Sequence, residues 1–237
     1  MKQQIIAMGG GGFSMEPDSS LLDRYFLKQT RRRNPSVCFV PTASADSDGY
    51  IVKFYATFSK LGCTPCHLSL FRPPKDLASF VLAQDAIYVG GGNTKNLLAL
   101  WREWGLGKLL RRAWRRGTVL GGISAGSICW FEEGLTDSIP GKLTRLECLG
   151  FLKGSNCPHY DGEPKRRPAY ERLIARGKML PGIAADDGVA LHFIGRKLFR
   201  VVSSRPKAAA YAVRRVNGKT EARKITPRCL GARTADR

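Results

Sequence analysis

The fold is decided by residues 118–130, Thr118-Val-Leu-Gly-Gly-Ile-Ser-Ala-Gly-Ser-Ile-Cys-Trp130. Val119 and Leu120 begin a short apolar run that reads as a buried strand, and Ser127-Ile-Cys-Trp-Phe131 can open a helix. Between them lies Gly122-Ile-Ser-Ala-Gly126, a G-x-S-x-G. At a sharp strand-to-helix turn this spacing holds the serine in a strained backbone geometry, and small residues on either side let the chain pass close by. The hydroxyl then projects from the carboxyl edge of a sheet, with the next backbone N–H facing any oxyanion that forms. Ser124 is the candidate nucleophile. A glycine-rich turn that merely contains a serine has the same pattern, so the role of Ser124 depends on what else the chain supplies.

Upstream, strands are expected over 3–8, 36–40, 66–71 and 86–89, and helices over 21–27, 46–60, 76–82, 97–104 and 106–116, from compact apolar runs and helical spacing respectively. Alternation with short links predicts an α/β fold: a mostly parallel sheet with helices on both faces. Ligands of such sheets gather beyond the carboxyl ends of the strands. Gly90-Gly-Gly-Asn-Thr94 follows a strand at such an end, with Asn93 or Thr94 placed to cap the next helix. The run Gly9–Gly12 is not a dinucleotide fingerprint, because Ser14 and Met15 stand where a further glycine is required. Downstream the pattern loosens. Residues 132–141 are polar and turn-rich, while 183–191, 197–202 and 208–213 read as closing strands, partly antiparallel. The expectation is one domain over 1–216 and a basic extension over 217–237, partly disordered, with a frayed end.

The composition fits one ordinary globular domain: 237 residues, 43% hydrophobic and 24% charged. No apolar run approaches the roughly 20 residues of a membrane span, and the N-terminus lacks the apolar core of a signal peptide. A cytoplasmic protein is expected. Seven cysteines, an odd number without framework spacing, suit a reducing compartment. Cys63-Thr-Pro-Cys66, followed by His67, has no second pair; Cys157 and His159 are the nearest substitute. No metal and no organic cofactor is therefore expected. The net charge of +20 is spread over several clusters, among them Arg31–Arg33, Arg111-Arg112 with Arg115-Arg116, Lys165–Arg167 and Arg214-Arg215. No recognisable nucleic-acid module accompanies them. They read as a solvated basic surface, with neither specific nucleic acid nor membrane as partner.

A serine hydroxyl needs a base to be nucleophilic at neutral pH. Of the three histidines, His67 and His192 sit in predicted strands, whereas His159 follows Pro158 in a loop-like segment beside Tyr160 and Asp161. Functional groups concentrate on loops held by a rigid scaffold, so His159 is the candidate base. The base must be oriented by an acceptor. Asp137 lies between nucleophile and base along the chain; Glu132, Glu133, Asp161 and Asp187 compete with it.

Gly90-Gly-Gly-Asn-Thr94, Gly122-Ile-Ser-Ala-Gly126 and Asn156-Cys-Pro-His-Tyr160, in this order and at these separations, resemble the peptidase E family, the alpha-aspartyl dipeptidases and their cyanophycinase relatives. The likeness runs from the first strand to about Leu191. It implies a fold like that of class I glutamine amidotransferases, with serine in place of cysteine. It also implies Ser124 as nucleophile, His159 as base, and the amides of Gly92 and Ala125 as the oxyanion hole. Asp137 falls in the loop of the family's third triad member, although aligning Ile139-Pro140 puts Ser138 there. The arginine that the family uses to hold a substrate aspartate matches Ala169, with Arg166 or Arg167 as substitutes. The expected activity is serine-type hydrolysis of short peptides, dipeptidase-like. The rival is a non-catalytic protein of the same fold that binds nucleic acid or an acidic ligand on its basic surface.

Overall fold

The computed structural model describes residues 2–231. Five strands, β1 (Gln4–Met8), β2 (Ser36–Val40), β3 (Thr64–His67), β4 (Ala86–Val89) and β5 (Val119–Ile123), run parallel. Their side chains alternate between two apolar layers. Ile5, Ala7, Cys38, Val40, Ile87, Val89 and Leu120 pack on one face against helices α3 (Leu77–Leu82), α4 (Thr94–Glu103) and α5 (Leu106–Arg116). Ile6, Met8, Val37, Phe39, Tyr88 and Ile123 pack on the other, against α1 (Leu21–Lys28) and α2 (Asp48–Phe58). A strand with apolar residues on both sides has nowhere to lie except between two helical layers. The expected α/β sheet covered on both faces is what forms.

Downstream strands extend and then leave this sheet. β6 (Phe131–Ile139), β7 (Lys142–Glu147), β8 (Leu152–Cys157) and β9 (Gly182–Ala185) precede β10 (Val189–Ile194), β11 (Lys197–Ser203), β12 (Ala210–Val216), β13 (Lys219–Ile225) and β14 (Arg228–Cys229). β10 pairs antiparallel with β1 and with β11, giving an eight-stranded sheet in the order β14-β11-β10-β1-β5-β4-β2-β3. The other six make a second sheet, β13-β12-β9-β8-β6-β7, with α7 (Arg166–Ala175) packed over it through Ala169, Tyr170 and Ile174.

Three sequence expectations change. Residues 132–141, expected to be turn-rich, are mostly strand β6. Its buried Glu133 is satisfied by Arg145 and by the Leu180 N–H, so a polar segment can sit inside a sheet. The strand expected over 183–191 is two strands in different sheets, and the chain crosses between them at Asp186-Asp187-Gly188. The expected extension begins as a hairpin: Val216 pairs with Lys219 and β13 runs back along β12. A frayed end is expected over the last ten residues, 228–237; of these, Arg228–Cys229 form β14 beside β11, and 232–237 lie outside the described residues.

Candidate active site

The G-x-S-x-G turn joins β5 to the single helical turn α6 (Ala125–Ile128). Its glycines are required by a neighbour: a Cβ on either Gly122 or Gly126 would collide with the Val89 carbonyl of β4. With that approach allowed, the chain turns sharply, and Ser124 adopts φ 55° and ψ −111°. A non-glycine residue rarely occupies this region unless its surroundings hold it there. Here the Ser124 N–H donates to the Met8 carbonyl (3.2 Å), and its carbonyl accepts from Ser127 (2.8 Å) and Ile128 (2.9 Å).

His159 is the second non-glycine residue of the site with a positive φ, 53°. It leaves β8 two residues after Cys157, and its N–H donates to the carbonyl of Gly9, just past β1. The His159 Nδ1 lies 2.6 Å from Asp187 Oδ1, and both side chains are mostly buried. Read as Nδ1–H donating to the carboxylate, this bond leaves Nε2 with its lone pair. Asp187 is fixed in turn, because its N–H donates to Asp161 Oδ1 (2.8 Å). Gly10 and Gly162 flank its carboxylate so closely that a Cβ on either would overlap it. Ser124 and His159 line one cavity of about 500 Å³, together with Ser14, Tyr50, Lys53 and Gly92.

The glycine run after β4 also lines this cavity, with Gly91 beside the Ser124 side chain. The Gly90 N–H donates to Val40, that of Gly91 to the Tyr50 hydroxyl (3.3 Å) and that of Asn93 to Ala43. Gly92 is thus the amide of the run without an acceptor among the described residues. At φ 133°, a Cβ there would collide with the Ala43 carbonyl. Ala125 opens α6, so its N–H has no partner within the helix. Burial raises the Tyr50 phenol above its ordinary range, which keeps it a neutral hydrogen-bonding wall.

Asp137, expected to orient the base, stands elsewhere. Its side chain is 61% exposed, and its nearest cation is Arg166, at 3.4 Å. Ser138, the other alignment, bonds Thr136 Oγ1 (2.7 Å) and accepts from the Lys95 N–H. Asp187 occupies the position at His159 instead. Its sequence signal is the Asp-Gly pair at 187–188, a turn marker inside an otherwise apolar run. Glu132 caps the Gly154 N–H (2.8 Å), and Glu133 faces Arg145. The expected substrate arginines are also engaged away from the cavity. Arg166 is 2% exposed and donates to Glu163 and to the Leu135 carbonyl. Arg167 pairs with Glu171 (3.1 Å) and lies over the rings of Tyr160 and Tyr211. Neither lines the cavity of Ser124, whereas Lys53, absent from the sequence expectation, does. His67 bonds Tyr55 (2.9 Å), and His192 bridges Tyr25 and Gln4. No helix among the described residues is long and apolar enough to cross a membrane.

Known proteins carry the same architecture. Two solved structures superpose on the chain, each at 18% sequence identity. One is a peptidase from an acI-B1 Actinobacterium, with TM-score 0.68 over 96% of this chain and 95% of its own. The other is a peptidase E candidate from Listeria monocytogenes EGD-e, with TM-score 0.63 over 84% and 98%. In sequence, the chain is 63% identical over 212 residues to the uncharacterized peptidase YgaJ of Bacillus subtilis (strain 168), covering 89% of this chain and 92% of the relative. It is 27% identical over 159 residues to the uncharacterized peptidase Lin0382 of Listeria innocua serovar 6a, covering 62% and 74%. The model of peptidase family S51 matches residues 5–201, a span that holds the serine elbow, His159 and Asp187 alike, and the chain belongs to that family.

Proposed function

We propose that this peptidase hydrolyses short peptides by a serine mechanism in which Ser124, His159 and Asp187 act in series. The observation that carries the reading is that Ser124, held at a positive φ, lines one cavity with a histidine whose Nδ1 is held at 2.6 Å by the mostly buried Asp187 carboxylate. Ser124 Oγ attacks the scissile carbonyl while His159 Nε2 takes its proton. The imidazolium that forms is stabilised by Asp187, which remains ionised. The amides of Gly92 and Ala125 face the oxyanion; a donor of this kind contributes roughly 3–4 kcal/mol in studied cases. His159 then gives the proton to the leaving amine, the acyl chain stays on Oγ as an ester, and a water activated by the same imidazole releases it.

A cavity of about 500 Å³ suits a short peptide rather than a folded chain. Lys53 is the ammonium among its lining residues, so a carboxylate of the substrate, terminal or side-chain, is its counterpart. The test is a panel of dipeptides, Asp-X, Glu-X and neutral-X, with free and amidated C-termini. Wild type should cleave free peptides, Ser124→Ala should cleave none, and Lys53→Met should raise KM for those bearing the recognised carboxylate. Cleavage by Ser124→Ala at the wild-type rate refutes the serine mechanism, and an unchanged KM in Lys53→Met refutes the role of the lysine.

A further inference from the structure

Helix α5 carries Lys108, Arg111, Arg112 and Arg115 at spacings of three, one and three residues, which places all four on one side. The opposite side buries Leu106, Leu110, Ala113 and Trp114. The basic side does not simply face bulk water. It forms one wall of a cleft of about 590 Å³, whose other residues come from α4, its link to α5, the end of β7 and the segment between β7 and β8. Like charges three and four residues apart destabilise an isolated helix, and the cleft adds Arg102 from the end of α4. Against five cations it offers one carboxylate, Glu147, which is already paired with Arg145 (3.0 Å). Among the described residues, Arg102, Lys108, Arg112 and Arg115 take part in no ion pair.

The cleft is also built for more than charge. Leu98 and Leu149 line it, over the buried rings of Trp101 and Phe151. Arg111 is held by two contacts: it donates to the Leu149 carbonyl (2.7 Å), and its guanidinium lies 4.1 Å from the centroid of the Phe151 ring. Burial and the neighbouring Arg115 and Arg196 hold its pKa below the ordinary arginine value, a repulsion that a bound anion would relieve. A flat cation seated on one aromatic ring is a stacking platform for a second planar group, and free forked guanidiniums fit phosphate oxygens.

We infer that this cleft is a second ligand site, separate from the Ser124 cavity, that takes a nucleoside polyphosphate, with phosphates on Arg112, Arg115 and Lys108 and the base against Arg111 and Leu149. It shares no lining residue with the cavity of Ser124, so it stands independently of the hydrolytic reading. The probes are adenosine triphosphate, inorganic tripolyphosphate and a 20-base-pair duplex, titrated calorimetrically against the full chain at near-physiological salt. The nucleotide should bind to Ser124→Ala as to wild type. Arg112→Gln/Arg115→Gln should weaken it by about tenfold or more, while Arg214→Gln/Arg215→Gln, which removes the same charge elsewhere, should leave it within about twofold. Tripolyphosphate should bind at least about tenfold more weakly than the nucleotide. Equal losses in the two double variants would overturn the site in favour of the general basic field. Equal affinity for tripolyphosphate would overturn the seat for the base. Duplex binding that outcompetes the nucleotide and vanishes in Arg112→Gln/Arg115→Gln would make the cleft a nucleic-acid contact instead.

Discussion

Ser124 and His159 are two of only six non-glycine residues with positive φ among the described residues, and both face the same cavity. Backbone strain of about 1–3 kcal/mol per residue persists where the surroundings over-determine it, which happens preferentially at sites of chemistry. The two acids, Asp187 and Asp137, are then separable by mutation. Asp187→Asn should lower kcat by about 10⁴-fold, because an amide at Oδ1 no longer holds the tautomer that leaves Nε2 free. Asp137→Asn should change kcat by less than about threefold, since an exposed residue away from the cavity contributes little. The reverse ranking in steady-state kinetics would return Asp137 to the role the family likeness implies. His159 and Ser124 could be picked out in the sequence because each sits in a short motif with its own turn chemistry. Asp187 could not be ranked above four other acids, because what selects it is a contact with a residue 28 positions away in the chain.

At the scale of elements, the elbow depends on how closely β4 approaches it. Gly126→Ala puts a methyl group against the Val89 carbonyl, where neither backbone can give way without moving Ser124. The variant should lose on the order of 1–3 kcal/mol of stability in denaturant unfolding and most of its activity. Gly141→Ala, in the open turn between β6 and β7, where no atom lies near the added Cβ but φ is 72°, should lose stability alone. Equal activity losses in the two variants would show that the close approach at Val89 is not what positions the serine. The parallel strands were readable because burial on both faces demands continuous apolar runs such as Val37-Cys-Phe-Val40. The second sheet was not. Its strand β6 buries Glu133 and Thr136 and satisfies them with side-chain and backbone partners, among them Arg145, the Leu180 N–H and Ser138, so its composition is that of a loop. The crossing at Asp186–Gly188 was likewise hidden inside what reads as one strand.

Across the whole molecule, two buried groups give stability opposing dependences on pH. Asp23 is fully buried, and burial, reinforced by the nearby Glu16, raises its pKa from 3.8 to about 7. Between those values the native state holds a proton that the unfolded state has lost, so Asp23 makes stability fall as pH rises from about 4 to 7. His192 is lowered to about 4 by burial and by Arg200. Between pH 4 and 6.5 the unfolded chain binds a proton there that the native state does not, so His192 makes stability rise with pH over that window. Each can contribute a slope of up to about 1.4 kcal/mol per pH unit. The two offset one another below pH 6.5. Asp23→Asn should therefore unmask a stability that climbs with pH from 4 to 6.5, and should be more stable than wild type above pH 7. Urea unfolding of both proteins at a series of pH values reads this directly, and parallel curves would exclude the buried acid as a pH-dependent term.

The catalytic reading is tested most directly by the rate at which a fluorophosphonate labels the protein, with the modified residue located by mass spectrometry. One equivalent should attach, at Ser124. His159→Gln and Asp187→Asn should slow labelling by orders of magnitude while Asp137→Asn labels at the wild-type rate. Labelling that occurs at another residue, or that proceeds at Ser124 just as fast without His159 and Asp187, would contradict the serine mechanism.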